Sequence, residues 1–408
     1  MRMPGTSTQL MVRQRNSTAA AIVRALLAEG PLGRKELAAS TGASFTTITK
    51  LVTELLERGD LEEIPQARPR RSAGRPTIPI DVPQRGRVLL GAHLHPQHTS
   101  CGAYTLRGEQ LLYRSLPTAA HTSQERIGEV VGLVRDVADA VGVDAVLGIG
   151  VSKPWDEFWA GPRPQQVVDV DHTGLLDGLR ARIDLPIRVD SNVQALALDQ
   201  HWWDGYDGNV LSILVGRSVR IAQMRGDSLV LEGPTGGGVV SHLVVPGSTA
   251  PCNCGQTGCV RVTCTDDALL TQAVDAGLLP SDAMQRDLYP PAAADSPGLA
   301  DLRRCRALAL GQFVPLLMGL LQPDQTVISG PLGTQDEIQE CLELIRTRHA
   351  ELTGHTARVH RHARFGPETW PRASAALALD SYLAAPLAIE RGTPASGNLA
   401  AADQSAGT

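Results

Sequence analysis

Two parts of this 408-residue chain repeat one order of short apolar strands, and this repeat constrains the fold more than any other feature. From Arg87 the sequence runs "RVLLGAHLH" and "TSCGAYTLRGEQLLYRSL", and after residue 209 it runs "NVLSILVG", "VRIAQM" and "RGDSLVLEG". Each round has two strands, a turn of Arg, Gly and an acidic residue, and a third strand. Helical patterns and further strands such as "AVLGIGVS" and "QTVISGPLG" follow. We therefore expect an α/β fold of two related lobes with a ligand cleft between them.

The length of the chain predicts two or three domains. No apolar run in the sequence approaches the roughly 18 to 20 residues that a membrane span needs, and the first residues lack the apolar stretch of a secretory signal. We therefore expect a cytoplasmic protein with no membrane part. Seven cysteines, four of them between residues 252 and 264, suit a reducing compartment. Residues 386–408 are small and polar, and we expect this tail to be disordered.

The first eighty residues are basic, with 12 Lys+Arg against 7 Asp+Glu, so their balance of +5 leaves −10 for the rest of a net charge of −5. Apolar spacing predicts a first helix in "NSTAAAIVRALLAEG", capped by Asn16 or Ser17, and a short second helix in "RKELAAST". Gly42 permits a tight turn before a third helix, "SFTTITKLVTELLERGD", which Ser44 caps and Gly59 ends. A basic helical segment fits a part of the protein that meets a polyanion.

The third helix carries its apolar residues on one face and short polar side chains on the other. The polar face lies near the amino-terminal end, where a helix inserted in the major groove of DNA meets bases and phosphates. We therefore predict DNA contacts from Ser44, Thr46, Thr47, Thr49 and Lys50. The alternative is that this face only meets solvent, as the polar faces of amphipathic helices usually do.

The segment after the third helix, "LEEIPQARPRRSAGRPTIPI", is too rich in proline to be helical. Arg68, Arg70, Arg71 and Arg75 have no acidic residue among them, and arginines on an extended backbone can enter a narrow minor groove. We predict a basic wing and linker in which Arg70, Arg71 and Arg75 contact DNA. A solvated linker between domains is the alternative.

The segment "HLVVPGSTAPCNCGQTGC" concentrates groups that bind metal ions. The candidate ligands, one imidazole and three thiolates, are His242, Cys252, Cys254 and Cys259. Four such ligands are what tetrahedral zinc prefers, and because no coordination position stays open, we predict a structural zinc ion. Scattered reduced thiols or a disulfide are alternatives, although a Cys-x-Cys pair is too close for an easy disulfide. Cys264 is a weaker candidate ligand because it lies about one turn further along the chain.

Residues 242–259 resemble the zinc motif of the ROK family (repressors, open reading frames and sugar kinases), in which a histidine precedes C-x-C-G-x-x-G-C. A "GRP" after the wing, an aspartate motif "RVDSNVQALAL" and the turn "ISGPLG" occur in the family's order. The resemblance covers residues from about 16 to 385. It implies a winged helix-turn-helix domain at 16–80 and an actin-like, ribonuclease H-like ROK domain of two lobes at 86–385. It also implies a homo-oligomer and transcriptional regulation that answers to sugar metabolism.

Family members that phosphorylate sugars hold ATP phosphates with two glycine-rich loops, and neither loop survives here. His93 stands in place of the aspartate of the first loop. The second loop becomes "VGRSVRIA", in which Arg217, Ser218 and Arg220 follow Gly216 where small residues should stand. Bulky side chains there would close the approach of phosphates. A base without a bound phosphate donor performs no transfer, so we expect no enzyme activity.

Asp190 matches the family's catalytic aspartate, a base for the sugar hydroxyl, unless it simply caps the helix that follows. Three positions at which family members carry polar sugar-binding residues are occupied here by Val189, Val239 and Arg261. Of the family's sugar-binding residues, only Asp190 and His242 remain. Each buried polar partner contributes about 1 to 3 kcal/mol to binding. The loss of three such partners therefore lowers the affinity for an ordinary hexose by several orders of magnitude. We therefore expect Asp190, His242 and Arg261 to bind a nonstandard ligand such as a sugar phosphate, or the cleft to bind nothing.

The leading hypothesis is a sequence-specific transcriptional regulator, acting as a repressor of carbohydrate-related genes. It would bind a double-stranded DNA operator as a homodimer or homotetramer, because a two-fold symmetric reader matches a palindromic site. Two alternatives remain: a ROK sugar kinase with a regulatory DNA-binding appendage, and a zinc-stabilised regulator that binds neither sugar nor ATP.

Overall fold

A computed structural model describes residues 5–65, 78–154, 170–230, 239–291, 294–362 and 366–388. The amino-terminal helical unit consists of α1 (Gly5–Glu29), α2 (Arg34–Thr41), α3 (Phe45–Glu57) and the antiparallel strands β1 (Glu62–Glu63) and β2 (Ile80–Asp81). The first helix is longer than predicted, because it begins at Gly5 and not at a cap at Asn16 or Ser17. The Asn16 side chain instead donates to the carbonyl of Val12, 3.2 Å away, which is compatible with a continuing helix.

Lobe 1 is an α/β layer built on a five-stranded sheet of order β5-β4-β3-β6-β7. Its elements are β3 (Val88–His95), β4 (His98–Tyr104), β5 (Gln110–Pro117), α4 (Ser123–Val141), β6 (Val146–Lys153), α5 (His172–Arg180) and β7 (Ile187–Ser191). The first three strands are antiparallel neighbours, whereas β3, β6 and β7 run parallel. β3 and β6 are buried along almost their whole length because the sheet is covered on both faces.

Lobe 2 repeats this topology with the strand order β10-β9-β8-β11-β12. Its elements are β8 (Asn209–Val215), β9 (Val219–Arg225), β10 (Ser228–Leu229), α7 (Val260–Thr263), α8 (Asp266–Asp275), α9 (Pro297–Leu321), β11 (Gln325–Ser329), α10 (Gln335–Thr353) and β12 (Val359–Arg361). Single turns of 3₁₀ helix lie at Val143–Ala145, Val239–His242 and Gln285–Leu288. The repeat predicted from the strand pattern is therefore present as two equivalent sheets.

Two helices connect the lobes. α6 (Asn192–Asp204) leads from β7 to β8, and α11 (Thr369–Ala384) returns from lobe 2 to the sheet of lobe 1. α11 lies so close to β3 and β6 that a Cβ atom on Gly91 or Gly150 would stand 1.8 or 1.7 Å from a backbone oxygen of α11. Glycine at these two positions permits this close contact between helix and sheet.

The amino-terminal unit shares one apolar core with lobe 1. Side chains of α1 and α3, including Ile22 and Val52, belong to the same buried cluster as Leu89 of β3 and Leu379 of α11. A buried ionic junction lies beside this core, where Arg87 Nε stands 3.1 Å from Asp60 Oδ1 and both side chains are fully buried. Arg58 also pairs with Asp60 at 3.0 Å, and Arg87 donates to the carbonyls of Arg58 and Asp144.

The start of the predicted tail, residues 386–388, packs on the amino-terminal unit. Arg58 donates to the carbonyl of Pro386 at 3.0 Å, and the amide of Leu387 donates to Asn16 Oδ1 at 2.9 Å. The rest of the tail lies outside the described residues, so its predicted disorder stays a prediction.

Among the helices described, α9 alone is long and apolar enough to cross a membrane by length and composition. Half of the most apolar window of α9 is buried within lobe 2, and core helices of globular proteins meet the same criterion. The helix is therefore weak evidence for a membrane span.

We expect Asp60→Ala to lower the free energy of unfolding by about 3 to 5 kcal/mol, because it leaves the buried guanidinium of Arg87 without its carboxylate. Denaturant unfolding followed by circular dichroism measures this loss. Glu63→Ala is the control, because its pair with Arg34 is 3.5 Å long and partly exposed, and it should cost less than about 1 kcal/mol. Equal effects of the two substitutions would contradict the importance of the junction.

Candidate functional site

The candidate DNA-reading surface is the amino-terminal half of α3. Ser44 caps the helix as predicted, accepting a hydrogen bond from the amide of Thr47 at 3.2 Å. The buried face of α3 consists of Ile48, Leu51, Val52 and Leu55. On the opposite face Thr46, Thr47 and Lys50 are exposed, whereas Thr49 is half-buried and donates its hydroxyl proton to the carbonyl of Phe45 at 2.8 Å. The polar side chains predicted from the sequence therefore share one accessible surface.

Phe45 and two acidic side chains limit this surface, and the sequence analysis did not single them out. Phe45 is 50% exposed at the first position of α3, an unusual place for a large apolar ring. Glu54 and Glu57 line the groove beside the carboxyl-terminal half of α3, and Glu54 pairs with Arg15 of α1 at 2.6 Å. Because carboxylates repel phosphates, they restrict any approach of DNA to the amino-terminal half.

Arg68, Arg70, Arg71 and Arg75 lie outside the described residues, between β1 and β2. The register of these two strands pairs Glu62 with Asp81 and Glu63 with Ile80. The segment that contains the four arginines is therefore joined at both ends to a two-stranded ladder next to α3.

The histidine and the three cysteines predicted as metal ligands come together in lobe 2. The ligand atoms of His242, Cys252, Cys254 and Cys259 all lie within 4.8 Å of one another. Cys252 Sγ is 3.7 Å from His242 Nδ1, and Cys254 Sγ is 3.6 Å from Cys259 Sγ. The sulfur separation is far above the roughly 2.05 Å of a disulfide, so these thiols are free. The cluster can hold a metal ion.

A small knuckle of backbone brings these ligands together. Isolated antiparallel bridges join Val244 to Cys259 and Pro251 to Thr257. Gly258 has a φ of +73°, and a Cβ there would lie 2.4 Å from a backbone oxygen of Ser248, so no other residue fits the turn. A hydrogen bond from the backbone of Gln256 lowers the pKa of Cys254, which favours the thiolate that metal binding requires.

Cys264, the weaker candidate, lies elsewhere. Its side chain is fully buried in the core of lobe 2, and burial raises the pKa of its thiol to about 12. It does not belong to the cluster of four ligands.

His93 lies near the end of β3 and is buried in lobe 1. Its ring stacks on Trp370 with centroids 5.1 Å apart, and its Nδ1 lies 2.8 Å from Ser152 Oγ. Burial holds the pKa of His93 well below its usual range, so the ring is neutral. A residue this enclosed serves packing and cannot present a charge to a phosphate.

Asp190 stands at the end of β7, where β7 meets α6. Its Oδ2 accepts from Arg188 at 3.2 Å and its Oδ1 accepts from the amide of Ser191 at 2.8 Å. The cap of α6 is Ser191, whose hydroxyl accepts from the amide of Gln194 at 3.3 Å. The alternative that Asp190 caps the helix is therefore wrong, because the neighbouring serine already fills that role.

Side chains of the turn between β8 and β9 pair with one another and with α8. Arg217 pairs with Asp267 at 3.4 Å, and the buried Arg220 donates to Ser218 Oγ at 3.2 Å. Behind this turn Asp266 accepts from Arg306 Nη1 at 2.5 Å, a buried pair that the sequence analysis missed. Arg306 also donates to the carbonyl of Pro331, so it connects α8, α9 and the "ISGPLG" turn.

The other two candidate ligand-binding residues belong to lobe 2. His242 and Arg261 are both half-buried, and Arg261 lies on α7, two residues after Cys259. They therefore stand beside the cysteine cluster, whereas Asp190 belongs to lobe 1.

The turn between β3 and β4 gives a prediction about pH. His95 stacks on His98, and its Nδ1 accepts from the amide of Gln97 at 3.2 Å. Burial, followed by the nearby cations, lowers the pKa of His95 to about 4. His95 binds a proton near pH 6.5 in the unfolded chain but stays neutral in the folded chain until the pH approaches 4. The free energy of unfolding therefore decreases as the pH falls from about 6.5 toward 4.

We expect His95→Gln to reduce the loss of unfolding free energy between pH 7.5 and 5.0 by about 1 to 2 kcal/mol relative to the unsubstituted chain. Denaturant titrations at the two pH values measure this difference. The same substitution at the exposed His121 is the control and should leave the loss unchanged. A parallel loss in all three proteins would show that His95 is not held neutral.

Known proteins similar in sequence are regulators of transcription. The chain is 28% identical over 405 residues to transcriptional regulator Rv0485 of Mycobacterium tuberculosis, covering 92% of this chain and 88% of that protein. It is 21% identical over 360 residues to the DNA-binding transcriptional dual regulator NagC of Escherichia coli, covering 82% of this chain and 86% of that protein.

Solved structures show the same fold. A ROK family transcriptional regulator, a homologue of the E. coli Mlc protein, matches with a TM-score of 0.70 and 17% identity over 91% of this chain and 98% of that one. The ROK hexokinase of Thermus thermophilus matches with a TM-score of 0.58 and 21% identity over 74% of this chain and 98% of that one. The model of the ROK family matches residues 91–364, and the chain therefore belongs to the ROK family.

Proposed function

We propose that this chain is a sequence-specific DNA-binding transcriptional regulator of the ROK type, acting as a repressor of carbohydrate-related genes. The observation that carries the proposal is the exposed polar face at the start of α3, on a unit whose core is continuous with lobe 1. A helix mounted in this way can enter the major groove without losing its orientation to the body. The relatives named as regulators and repressors support the same function.

The amino-terminal unit acts as a winged helix-turn-helix. α2 and α3 are joined by a short turn at Gly42, whose φ of +69° suits only glycine, and α3 is the recognition helix. Ser44, Thr46, Thr47, Thr49 and Lys50 contact bases and phosphates. The strands β1 and β2 form the base of the wing, and Arg70, Arg71 and Arg75 follow the minor groove. Residues 16–80, extended to Gly5 by α1, are the DNA-binding domain, and 86–385 are the ROK domain.

The lobes no longer act as a kinase. A phosphate group would have to displace Arg217 from its ion pair with Asp267. It would also have to bind beside His93, which is buried and neutral and offers it no positive charge. One observation favours the alternative of a sugar kinase with a DNA-binding appendage: Asp190 remains at the end of β7, and the ROK hexokinase shares the fold. ATP-dependent phosphorylation of a hexose at rates typical of kinases would support that alternative.

The cleft binds an effector through Asp190, His242 and Arg261, and the guanidinium of Arg261 suits an anionic ligand such as a sugar phosphate. The protein works in the cytoplasm as a homodimer or homotetramer on a palindromic operator, with no membrane part. A regulator that needs no ligand, braced only by zinc, is the remaining alternative.

The metal held by the cysteine cluster is zinc with a structural role. A tetrahedral ion with bonds of about 2.3 Å places its sulfur ligands about 3.8 Å apart, close to the 3.6 Å between Cys254 and Cys259. Three sulfurs and one imidazole complete the coordination, which leaves no open position for catalysis. The ion would fasten a segment with few apolar side chains to the core of lobe 2 through Cys259 and Val260.

DNA binding is tested by selecting bound duplexes from a random pool with the full chain and with Thr47→Ala, Lys50→Ala and Arg75→Ala. We expect Thr47→Ala or Lys50→Ala to change the preferred bases, because each lost base contact is worth about 1 to 3 kcal/mol. Arg75→Ala should weaken binding to A·T-rich flanking sequence.

Thr53→Ala is the matched control, since Thr53 lies further along α3 and bonds to the carbonyl of Thr49 at 2.9 Å. It should leave the selected sequence unchanged. Unaltered affinity in all the substituted proteins, or no preference of the full chain for any duplex, would reject the assigned surface.

We expect close to one zinc ion per purified chain, lost in Cys254→Ser together with a lower melting temperature, because the ion fastens a loop that has little core of its own. Elemental analysis and thermal unfolding measure the two effects. Cys305→Ser is the control, because Cys305 is exposed and lies outside the cluster. Metal-free protein of full stability after ordinary purification would refute the site.

A further inference from the structure

We infer that α6 couples the cleft to the DNA-reading unit, and that the ion pair between Arg24 and Asp227 opens when the lobes move. The inference rests on the proposed function. α6 begins directly after Asp190 and Ser191 and ends with His201, Trp202, Trp203 and Asp204. Its 13 residues span about 20 Å, so one rigid helix connects the candidate ligand site to the amino-terminal unit.

Two equivalent turns flank the far end of α6. They are the Arg-Gly-acid turns of the sequence repeat, at Arg107–Glu109 in lobe 1 and Arg225–Asp227 in lobe 2. In both sheets the turn joins the second and third antiparallel strands. Both turns reach the last two turns of α1, so the helix that carries the DNA-reading unit touches both lobes.

The contact with lobe 1 is extensive. Arg107 donates to the carbonyls of Leu26 and Leu27 at 2.9 and 3.0 Å and pairs with Asp81 at 2.7 Å. Trp203 Nε1 donates to the carbonyl of Leu106 at 3.0 Å, and its ring lies so close to Gly108 that a Cβ there would stand 2.5 Å from Cδ2. Together with the shared core, these bonds hold α1 on lobe 1 through any movement of lobe 2.

The contact between α1 and lobe 2 is much less extensive. Arg24 Nε lies 3.2 Å from Asp227 Oδ2, with 35% and 47% of the two side chains exposed. The guanidinium of Arg24 also lies 5.8 Å from the centre of the Trp202 ring, and His201 Nε2 stands 3.4 Å from Asp227 Oδ1. Because a partly exposed ion pair is weak, a rotation of lobe 2 breaks this contact before it disturbs the contact with lobe 1.

The consequence is a two-state connection between distant sites. A ligand that closes the lobes on Asp190 shifts α6 and lobe 2 against lobe 1, and this movement separates Asp227 from Arg24 of α1. α1 packs on α3 in the core shared with lobe 1, so the recognition helix keeps its orientation to lobe 1 and changes its position relative to lobe 2. The state with Arg24 paired and the state with Arg24 released would then differ in affinity for DNA.

A charge-swap cycle tests this connection in the full chain, using Arg24→Asp, Asp227→Arg and the double variant. Hydrogen exchange of residues 24–29 is measured without DNA, and affinity is measured for the duplex selected by the unsubstituted chain. We expect each single variant to speed exchange and change affinity by about two- to fivefold, and the double variant to restore both. Arg225→Gln is the control, because it removes an exposed cation from the same turn.

Exchange of β3 and β6 should stay constant in every variant, which verifies that lobe 1 remains folded. Effects of the double variant that equal the sum of the single ones, or unchanged exchange at residues 24–29, would overturn the inference. If the unsubstituted chain selected no duplex, the proposed function would fail, whereas the exchange cycle would still decide whether the ion pair holds α1.

Discussion

The orientation of α3 depends on the apolar core that the amino-terminal helices share with lobe 1. Ile22 and Val52 pack in one cluster with Leu89 and Leu379, and the buried pair of Arg87 and Asp60 lies at the same junction. A core of this kind has low compressibility and transmits displacement, whereas a flexible linker would absorb it. The amino-terminal unit is therefore mounted rigidly on lobe 1.

The two lobes are equivalent α/β layers, and paired side chains occupy the strand ends and turns on which the candidate ligand site would be built. The ends of β3, β6 and β7 still converge, but His93 is stacked on Trp370 and Asp190 is paired with Arg188. In lobe 2 the turn after β8 is occupied by paired arginines. These side chains therefore bind one another.

The cysteine cluster and the Asp266–Arg306 pair brace lobe 2 from two sides. The first gathers its ligands on a knuckle that has little apolar surface, and the second connects α8, α9 and the turn after β11. Rigid lobes around two connecting helices are the condition under which a small change in the cleft becomes a displacement at a distance.

The sequence by itself determined the features that depend on neighbouring residues: the two rounds of strands, the amphipathic α3 with its Ser44 cap, and the glycines and cysteines of the metal knuckle. Their signals are periodicity and short spacing, which a single chain displays directly. Tertiary structure alone decided that Arg87 pairs with Asp60 in a buried junction and that Arg107 reaches Leu26, 81 residues away. Such contacts join residues remote in the chain, so no local pattern predicts them, because they exist only once the sheets and helices have packed.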